Sequence, residues 1–154
     1  MQPISGFAIV ISGQVYRGSQ PYAPGQWAFL KGLGVRTVLK LNYDSEGLDV
    51  APDMALFKCA MPPMDLWQAL GKPDPTDVAK AVGVLADTEL YPIYVHCTHG
   101  HDRTGIVVGE WRVLHCQWAP EQAYQEMREY GFHWELLDLD WTWMEFVRSQ
   151  NAKA

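Results

Sequence analysis

The sequence predicts an α/β fold in which a mainly parallel central sheet is flanked by helices. Short runs of β-branched and aromatic residues alternate with longer segments that are apolar at helical spacing, which is typical of parallel α/β domains. The chain has 154 residues, of which 48% are hydrophobic, and this is enough to bury a sizeable core. No repeat or low-complexity linker interrupts the alternation, so we expect residues 1–154 to form a single domain.

The N-terminal half is predicted to supply most of the strands. β-formers on either side of Ser12-Gly13 indicate a short hairpin, and a segment with proline near its start and glycine near its end indicates a helix. Two further apolar runs predict strands, of which the first is interior because it is mostly apolar. The predicted elements are a hairpin of strands 7–11 and 14–16, a helix at 24–33, and strands at 35–42 and 55–60.

The C-terminal half is predicted to contribute one strand and four helices. Asp74 followed by Pro75 is a favourable helix start, because Asp caps free N–H groups and proline suits the first turn. The predicted elements are a helix from 75 with the buried face Val78, Ala81, Val82 and Leu85, a strand at 92–96, and helices at 104–117, 119–131 and 134–148.

The last helices are rich in aromatic residues, which we assign to the core. The residues that step at helical spacing along the final helix are Leu137, Trp141, Met144 and Val147. The tryptophans predicted to pack in the core are Trp111, Trp118, Trp134, Trp141 and Trp143.

Charge and hydropathy exclude several partners. The net charge is −6 and no basic run occurs, so we expect no nucleic-acid binding. No apolar run reaches the roughly 18 residues of a membrane span, and the short run at 6–11 lacks the basic start of a signal peptide. We expect a monomer that needs no cofactor and has no integral membrane segment.

The three cysteines do not form an even disulfide framework. Cys59 and Cys116 lie in apolar contexts and are predicted to be buried free thiols. This composition fits a reducing compartment and predicts a cytoplasmic protein, and export after removal of a signal peptide stays open as an alternative.

The most informative segment lies between the strand at 92–96 and the next helix. Its ten residues are His96-Cys97-Thr98-His99-Gly100-His101-Asp102-Arg103-Thr104-Gly105. Backbone N–H groups of such a loop can converge on an anion, and the helix N-terminus adds its positive dipole end. Arg103 can make a two-pronged contact to phosphoryl oxygens, and the same field would stabilise Cys97 as a nucleophilic thiolate. These features predict a phosphate cradle with a nucleophile at its floor.

The spacing of Cys97, five residues and Arg103, with Thr104-Gly105 after it, resembles the signature loop of the protein tyrosine phosphatase superfamily. The sequence of residues 96–105 is similar to the loops of compact bacterial dual-specificity-like phosphatases and PTP-like cysteine phytases. The resemblance runs from about Val15 to Phe132, although only residues 96–105 are highly specific. It implies a dual-specificity phosphatase-like fold in which Arg17 ties the first strand to the core, a structural role that we favour over substrate contact.

The resemblance also implies a role for each residue of the loop. Cys97 would attack phosphorus, Arg103 would bind the phosphoryl group and stabilise the transition state, and Thr104 would hydrogen-bond the thiolate. The remaining residues expected to bind phosphate are Thr98, His99, Gly100 and His101.

The sequence of the loop allows two other interpretations. A rhodanese-like loop also places a cysteine after a strand, but it does not require Arg-Thr-Gly at the helix start. The crowding of His96, Cys97, His99 and His101 could indicate a metal site. Zinc ligands usually come from separate elements at C-x-x-C or H-x-x-x-H spacings, so we predict no metal.

A cysteinyl-phosphate mechanism also needs a general acid. Asp65 precedes Cys97 by 32 residues, a separation similar to that of the acid loop in dual-specificity phosphatases. Asp102 lies inside the loop, as in the myotubularin-like pattern. Asp65 could instead be a solvated loop carboxylate and Asp102 an orienter of the loop. We favour Asp65 as the acid and keep Asp102 as the second candidate.

The histidines are predicted to have different roles. His99 and His101 would add charge around the phosphate entrance in a manner that depends on pH. His96 would orient the loop from the core side, whereas His115 and His133 are predicted to be structural. The loops after strands 35–42, 55–60 and 92–96 are expected to meet at the carboxyl edge of the sheet around one cleft.

These features favour a cysteine-dependent phosphomonoester hydrolase that acts on a small polyanion such as an inositol phosphate. A protein phosphotyrosine or dual-specificity phosphatase is the alternative. A catalytically silent phosphate-binding module is disfavoured, because binding alone does not need the thiol of Cys97.

Overall fold

The computed structural model describes residues 3–63, 74–135 and 137–153, with the side chains of 137–139 excepted. It contains strands β1 (Ala8–Ile11), β2 (Val15–Gly18), β3 (Thr37–Lys40), β4 (Ala55–Lys58) and β5 (Ile93–His96). The helices are α1 (Pro24–Gly32), α2 (Pro75–Ala86), α3 (Arg103–His115), α4 (Pro120–Glu129) and α5 (Leu137–Ala152), and Asp44–Glu46 and Thr88–Leu90 form 3₁₀ turns.

The five strands form one sheet in the order β1-β2-β5-β3-β4. β1 and β2 are an antiparallel hairpin, whereas β2, β5, β3 and β4 pair in parallel. Strand β5 lies at the centre, with Tyr94 in register with Tyr16 on one side and Val38 on the other. The predicted α/β class with a mainly parallel sheet is confirmed.

Helices cover both faces of the sheet because alternate strand residues point to opposite sides. Trp27 and Leu30 of α1 pack against one face, and apolar residues of α2, α3 and α4 pack against the other. The first face presents Tyr16, Val38 and Tyr94, and the second presents Val15, Leu39, Ile93 and Val95. Both faces of the interior strands are buried, which explains why these strands are nearly continuous apolar runs in the sequence.

The predicted strand boundaries differ from the observed ones by one or two residues at most ends. The strands predicted at 35–42 and 55–60 are limited to Thr37–Lys40 and Ala55–Lys58, whereas β2 continues through Arg17 and Gly18, beyond the end predicted at residue 16. β2 is longer because Arg17 and Gly18 pair with β5 up to its last residue, His96. This extension brings Arg17 to the carboxyl edge of the sheet.

The start of α2 is confirmed, because the side chain of Asp74 accepts a hydrogen bond from the N–H of Thr76 at 2.7 Å. Its four predicted core residues, Val78, Ala81, Val82 and Leu85, are all buried.

The predicted apolar face of α5 is wrong for Trp141 and Met144, whereas Val147 packs against the core and the side chain of Leu137 lies outside the described residues. Trp143 is 2% exposed and packs over Gly109 of α3, whereas Trp141 is 49% exposed and Met144 is also exposed. A helix rich in aromatic residues has more than one apolar face, and the face that is buried is the one that packs against α3. Arg148 lies 5.2 Å from the ring centre of Trp141 and covers part of it. Trp134 is likewise exposed, so core packing holds for Trp111 and Trp143 but not for Trp134 and Trp141.

The two thiols outside the loop are free but only half-buried, contrary to the prediction. Cys59 follows β4, an edge strand whose four residues are all exposed, and Cys116 ends α3. Partial burial raises the pKa of both thiols, so neither is a reactive thiolate at neutral pH. Within the described ranges, no helix is both long and apolar enough to cross a membrane.

Candidate active site

The loop between β5 and α3 lies at the carboxyl end of the central strand and at the N-terminus of a helix. Cys97 is 2% exposed, and its Sγ accepts hydrogen bonds from the backbone N–H of Gly100 and from Thr104 Oγ1, both at 3.2 Å. Two donors aimed at one sulfur stabilise its thiolate form. Cys97 and Arg103 line a cavity of about 140 Å³. The other lining residues are Glu46, Pro63, Thr98, His99 and Asp102.

Gly100 is fixed by contacts on two sides. Its φ is +77°, in the left-handed region, and a Cβ atom here would lie 2.5 Å from the carbonyl carbon and oxygen of Gly18. Its carbonyl oxygen accepts a hydrogen bond from Arg17 Nη2 at 3.0 Å. No residue with a side chain fits this position, so the turn that points the Gly100 N–H at Cys97 depends on glycine.

The guanidinium of Arg103 is buried and held by three neighbours. Nη1 and Nη2 donate to the two carboxylate oxygens of Glu46 at 2.9 and 2.8 Å, which is a two-pronged contact. Nη1 also donates to the carbonyl of Met61 at 3.0 Å, and Nη2 donates to Thr98 Oγ1 at 3.2 Å. The loops after β3 and β4 therefore meet the signature loop at one cleft, as predicted for their described parts.

Glu46 is a site residue that the sequence analysis missed. Burial alone would raise its pKa, but hydrogen bonds from Arg103 and Thr98, together with the charge of Arg103, lower the pKa to about 2. Glu46 is therefore a carboxylate at every working pH. The sequence feature that could have identified Glu46 is its position in the loop after β3, which is predicted to lie at the carboxyl edge of the sheet.

Behind the loop, a buried ionic network joins strands β3 and β5. Asp49 Oδ1 accepts from Lys40 Nζ at 3.0 Å, and its Oδ2 lies 2.7 Å from His96 Nε2; none of these three side chains is exposed. The other ring nitrogen of His96 lies 3.1 Å from the carbonyl oxygen of Cys97. Both ring nitrogens of His96 therefore lie within hydrogen-bond distance of an oxygen atom. Gln20 completes the network by accepting from Lys40 and donating to Asp49.

The network extends to the loop through Asn42. Its Nδ2 donates to Gln20 Oε1 and to Thr98 Oγ1, both at 3.1 Å. Thr98 Oγ1 in turn donates to Glu46 at 2.6 Å. Thr98, the first residue after Cys97, is thus fixed by Asn42 from the core side and by Glu46 from the cleft side.

Three imidazoles lie side by side at the outer rim of the loop. The ring centre of His101 is 6.2 Å from that of His99 and 5.8 Å from that of His133. The backbone N–H of His133 donates to Asp102 Oδ1 at 2.8 Å, and its Nδ1 lies 2.8 Å from Oδ2. His133 was predicted to be structural, and its position between α4 and α5 gave no sequence signal for this contact. His115 is exposed at the end of α3, away from this rim.

A sequence model described as "Tyrosine phosphatase family" matches residues 1–152. The chain belongs to the tyrosine phosphatase family. This phosphatase is 30% identical to inositol diphosphatase DSP3 of Arabidopsis thaliana over 152 residues, which cover 91% of this chain and 70% of the plant protein. It is 29% identical to the dual specificity protein phosphatase TpbA of Pseudomonas aeruginosa over 126 residues, 79% of this chain. The match spans only about half of TpbA, 53% of its length.

Solved structures of phosphatases share the fold. The core catalytic domain of the PP-IP phosphatase SIW14 from S. cerevisiae, in complex with citrate, matches 85% of this chain and 79% of its own, with a TM-score of 0.69 and 22% identity. TpbA in complex with phosphotyrosine matches 84% of this chain and 77% of its own, with a TM-score of 0.64 and 25% identity. The family resemblance of the signature loop is confirmed, and the chain is a phosphatase that hydrolyses phosphoric monoesters.

Asp65, the favoured general acid, lies outside the described residues, so its role stays a prediction. Within the described part of the chain, no group of three or more His, Cys, Asp and Glu side chains is arranged to hold a metal ion.

Proposed function

We propose that this phosphatase cleaves phosphate monoesters through a cysteinyl-phosphate intermediate. Cys97 Sγ attacks phosphorus, the S–P bond forms as the P–O bond to the leaving group breaks, and a general acid protonates the leaving oxygen. Water then attacks phosphorus, the S–P bond breaks, and thiolate and inorganic phosphate are released. The observation that carries the proposal is the pair of hydrogen bonds from Gly100 and Thr104 to a buried sulfur beside Arg103.

We further propose that the substrate is a small polyanion such as an inositol phosphate. Support comes from the rim of His99, His101 and His133, which can bind further phosphate groups when protonated. The printed name of the Arabidopsis relative, an inositol diphosphatase, points to the same class of substrate. A protein phosphotyrosine or dual-specificity phosphatase is the second candidate, and the similarity to TpbA favours it.

A comparison of substrates tests the proposed function. The kcat/KM of the wild-type protein is measured on a panel of inositol phosphates, on phosphotyrosine peptides and on p-nitrophenyl phosphate, with Cys97→Ser as the blank. We expect the inositol phosphates to give the highest kcat/KM. A higher kcat/KM on the peptides would transfer the proposal to the second candidate, and no hydrolysis of any substrate would contradict the phosphomonoesterase itself.

The histidine rim predicts a pH dependence that is specific to polyanions. Burial is the main cause that lowers the pKa of His101, and the charges of His133 and His99 add to it against the opposing effect of Asp102. A lowered pKa means that His101 becomes charged only below the ordinary value of about 6.5. Hydrolysis of an inositol polyphosphate should therefore be fastest in mild acid and decline as pH rises through that range. The measurement is kcat/KM against pH on this substrate and on p-nitrophenyl phosphate.

Substitutions in the rim supply the control for that profile. His99→Gln combined with His101→Gln should lower kcat/KM on the polyphosphate by roughly tenfold or more, and on p-nitrophenyl phosphate only slightly, because these charges act on remote phosphates. His133→Gln should give a smaller loss in the same direction. His115→Gln, an exposed histidine outside the rim, is the matched control. Equal losses on both substrates would show that the histidines only shape the loop.

The leaving group identifies the general acid. A nitrophenolate is a good leaving group without protonation, whereas an alkoxide from an inositol ring must be protonated in order to leave at a useful rate. Asp65→Asn should therefore lower kcat by roughly 10²–10⁴-fold on an alkyl phosphate and much less on p-nitrophenyl phosphate. Asp102→Asn should lower both rates alike.

The geometry of Asp102 supports a positioning role. Both of its carboxylate oxygens contact His133, which ties the signature loop to the segment after α4. A selective loss on the alkyl phosphate at Asp102→Asn, with Asp65→Asn near wild type, would reverse the assignment.

A further inference from the structure

Arg17 is a buried cation without a carboxylate partner among the described residues. It lies on β2, its relative exposure is 0%, and its one hydrogen bond runs from Nη2 to the carbonyl of Gly100. Its Nε and Nη1 have no hydrogen-bond partner within the described structure. The guanidinium carbon lies 4.7 Å from the ring centre of Tyr130, which supplies a cation–π contact.

Packing alone does not account for an arginine at this position. A buried guanidinium loses its hydration, and a buried charge normally needs a paired carboxylate to offset that loss. Arg112 of α3 shows the usual solution in the same protein. It donates to both oxygens of Glu126, at 3.2 and 2.9 Å, and lies 4.0 Å from the ring centre of Trp118. Arg17 has no equivalent of this ion pair.

The charge of Arg17 is directed at the floor of the active site. The residue that accepts its hydrogen bond, Gly100, is the residue whose N–H donates to Cys97 Sγ. Burial is the main cause that lowers the pKa of Arg17, while the charges of Glu126 and Cys97 act in the opposite direction. The hydroxyl of Tyr130 also favours the cation, and Arg112 opposes it. An anion at Cys97 is therefore one of the few groups that favour the charged form of Arg17.

We propose that Arg17 is a positioning residue for the nucleophile and the buried counter-charge of the site. It holds the carbonyl of Gly100 so that the N–H of this residue points at Cys97, and its charge stabilises the thiolate and the bound phosphoryl group from the core side. This inference rests on the proposed thiolate chemistry. Arg103 lines the cavity with Cys97, whereas Arg17 reaches the loop from β2 through the carbonyl of Gly100.

The pH profile of Cys97 alkylation tests this proposal. Iodoacetamide labelling is followed by peptide mass spectrometry, which separates Cys97 from Cys59 and Cys116. Arg17→Met should move the midpoint of the Cys97 profile upward by roughly one pH unit or more, because a buried cation near the sulfur is lost. The kcat on p-nitrophenyl phosphate should fall by roughly 10–100-fold, since the thiolate is scarcer and the Gly100 turn is less fixed.

Two further variants distinguish an effect of Arg17 on Cys97 from a general loss of protein stability. Arg112→Met removes a buried arginine that does not line the cavity, and it should lower the melting temperature while leaving the Cys97 midpoint near that of the wild type. Arg17→Lys keeps a charge without the planar contact, so its midpoint should fall between those of the wild type and Arg17→Met. If Arg17→Met does not fold, Arg17→Lys decides the question through the same midpoint and kcat.

The outcomes distinguish this inference from the proposed function. A folded Arg17→Met or Arg17→Lys variant with wild-type midpoint and kcat would overturn the role of Arg17 and leave the phosphatase chemistry intact. A midpoint that shifts equally in Arg112→Met would also overturn it, because the effect would then be general. A wild-type protein whose Cys97 labels in mild acid but which hydrolyses no phosphate ester would instead contradict the proposed function.

Discussion

Cys97→Ser is expected to abolish turnover and to retain the binding of phosphate-sized oxyanions. A serine hydroxyl is a far weaker nucleophile than a thiolate, so kcat should fall by at least about 10⁴-fold. The anion site persists because the backbone donors of the loop and Arg103 do not depend on the sulfur. Phosphate release on p-nitrophenyl phosphate measures the loss, and calorimetry with vanadate or phosphate measures the retained binding.

Cys59→Ser is the matched control for this experiment. Its thiol is half-buried outside the site and has a raised pKa, so turnover should stay at the wild-type level. Hydrolysis by Cys97→Ser at a rate near that of the wild type would exclude the thiolate mechanism. Loss of oxyanion binding along with turnover would show that the sulfur also shapes the loop.

Arg103→Lys should come close to the loss seen at the nucleophile, although the positive charge is kept. The guanidinium contacts Glu46 through both Nη atoms and spans to the carbonyl of Met61, and an ammonium group cannot form this planar set of contacts. We expect kcat/KM on p-nitrophenyl phosphate to fall by roughly 10³-fold or more. Calorimetry with phosphate should show weaker binding in the same variant.

Arg112→Lys separates this effect from the loss of any buried arginine. Arg112 also makes a two-pronged contact to a carboxylate, that of Glu126, but it lies outside the cleft. This variant should lower stability and leave kcat/KM close to the wild-type value. If Arg103→Lys kept kcat/KM within tenfold of the wild type, a simple charge would suffice and the planar contact would have no catalytic role.

The features that the sequence predicted well are those that neighbouring residues determine. The strand, loop and helix around Cys97, and the capped start at Asp74, follow from local patterns of apolar residues, glycine, proline and caps. The parallel sheet follows from the alternation of these patterns along the chain. Such signals lie within a few residues of the feature they predict.

The missed features depend on residues that are distant in the chain. Glu46 and Arg103 are 57 positions apart, and Asp102 and His133 are 31 apart, so nothing local links either pair. Lys40 lies in an apolar strand whose pattern predicts burial but not the buried carboxylate of Asp49 that compensates its charge. The exposed face of α5 was misassigned for a related reason, because the packing of Trp143 on Gly109 is decided by α3.

The contact between Glu46 and Arg103 occupies the guanidinium before any ligand binds. All four Nη hydrogens of Arg103 are engaged by Glu46, Met61 and Thr98, so the proposed two-pronged contact to a phosphoryl group requires the displacement of at least one of them. The same partner returns when inorganic phosphate departs. The carboxylate of Glu46 thus competes with any phosphate group for Arg103, and its effective concentration stays constant because it is part of the chain. This competition lowers the affinity of the site for the phosphate product and for the phosphoryl group of the substrate alike. If Arg103 binds phosphate as proposed, we expect the enzyme to bind inorganic phosphate weakly and to show little product inhibition at high phosphate concentration.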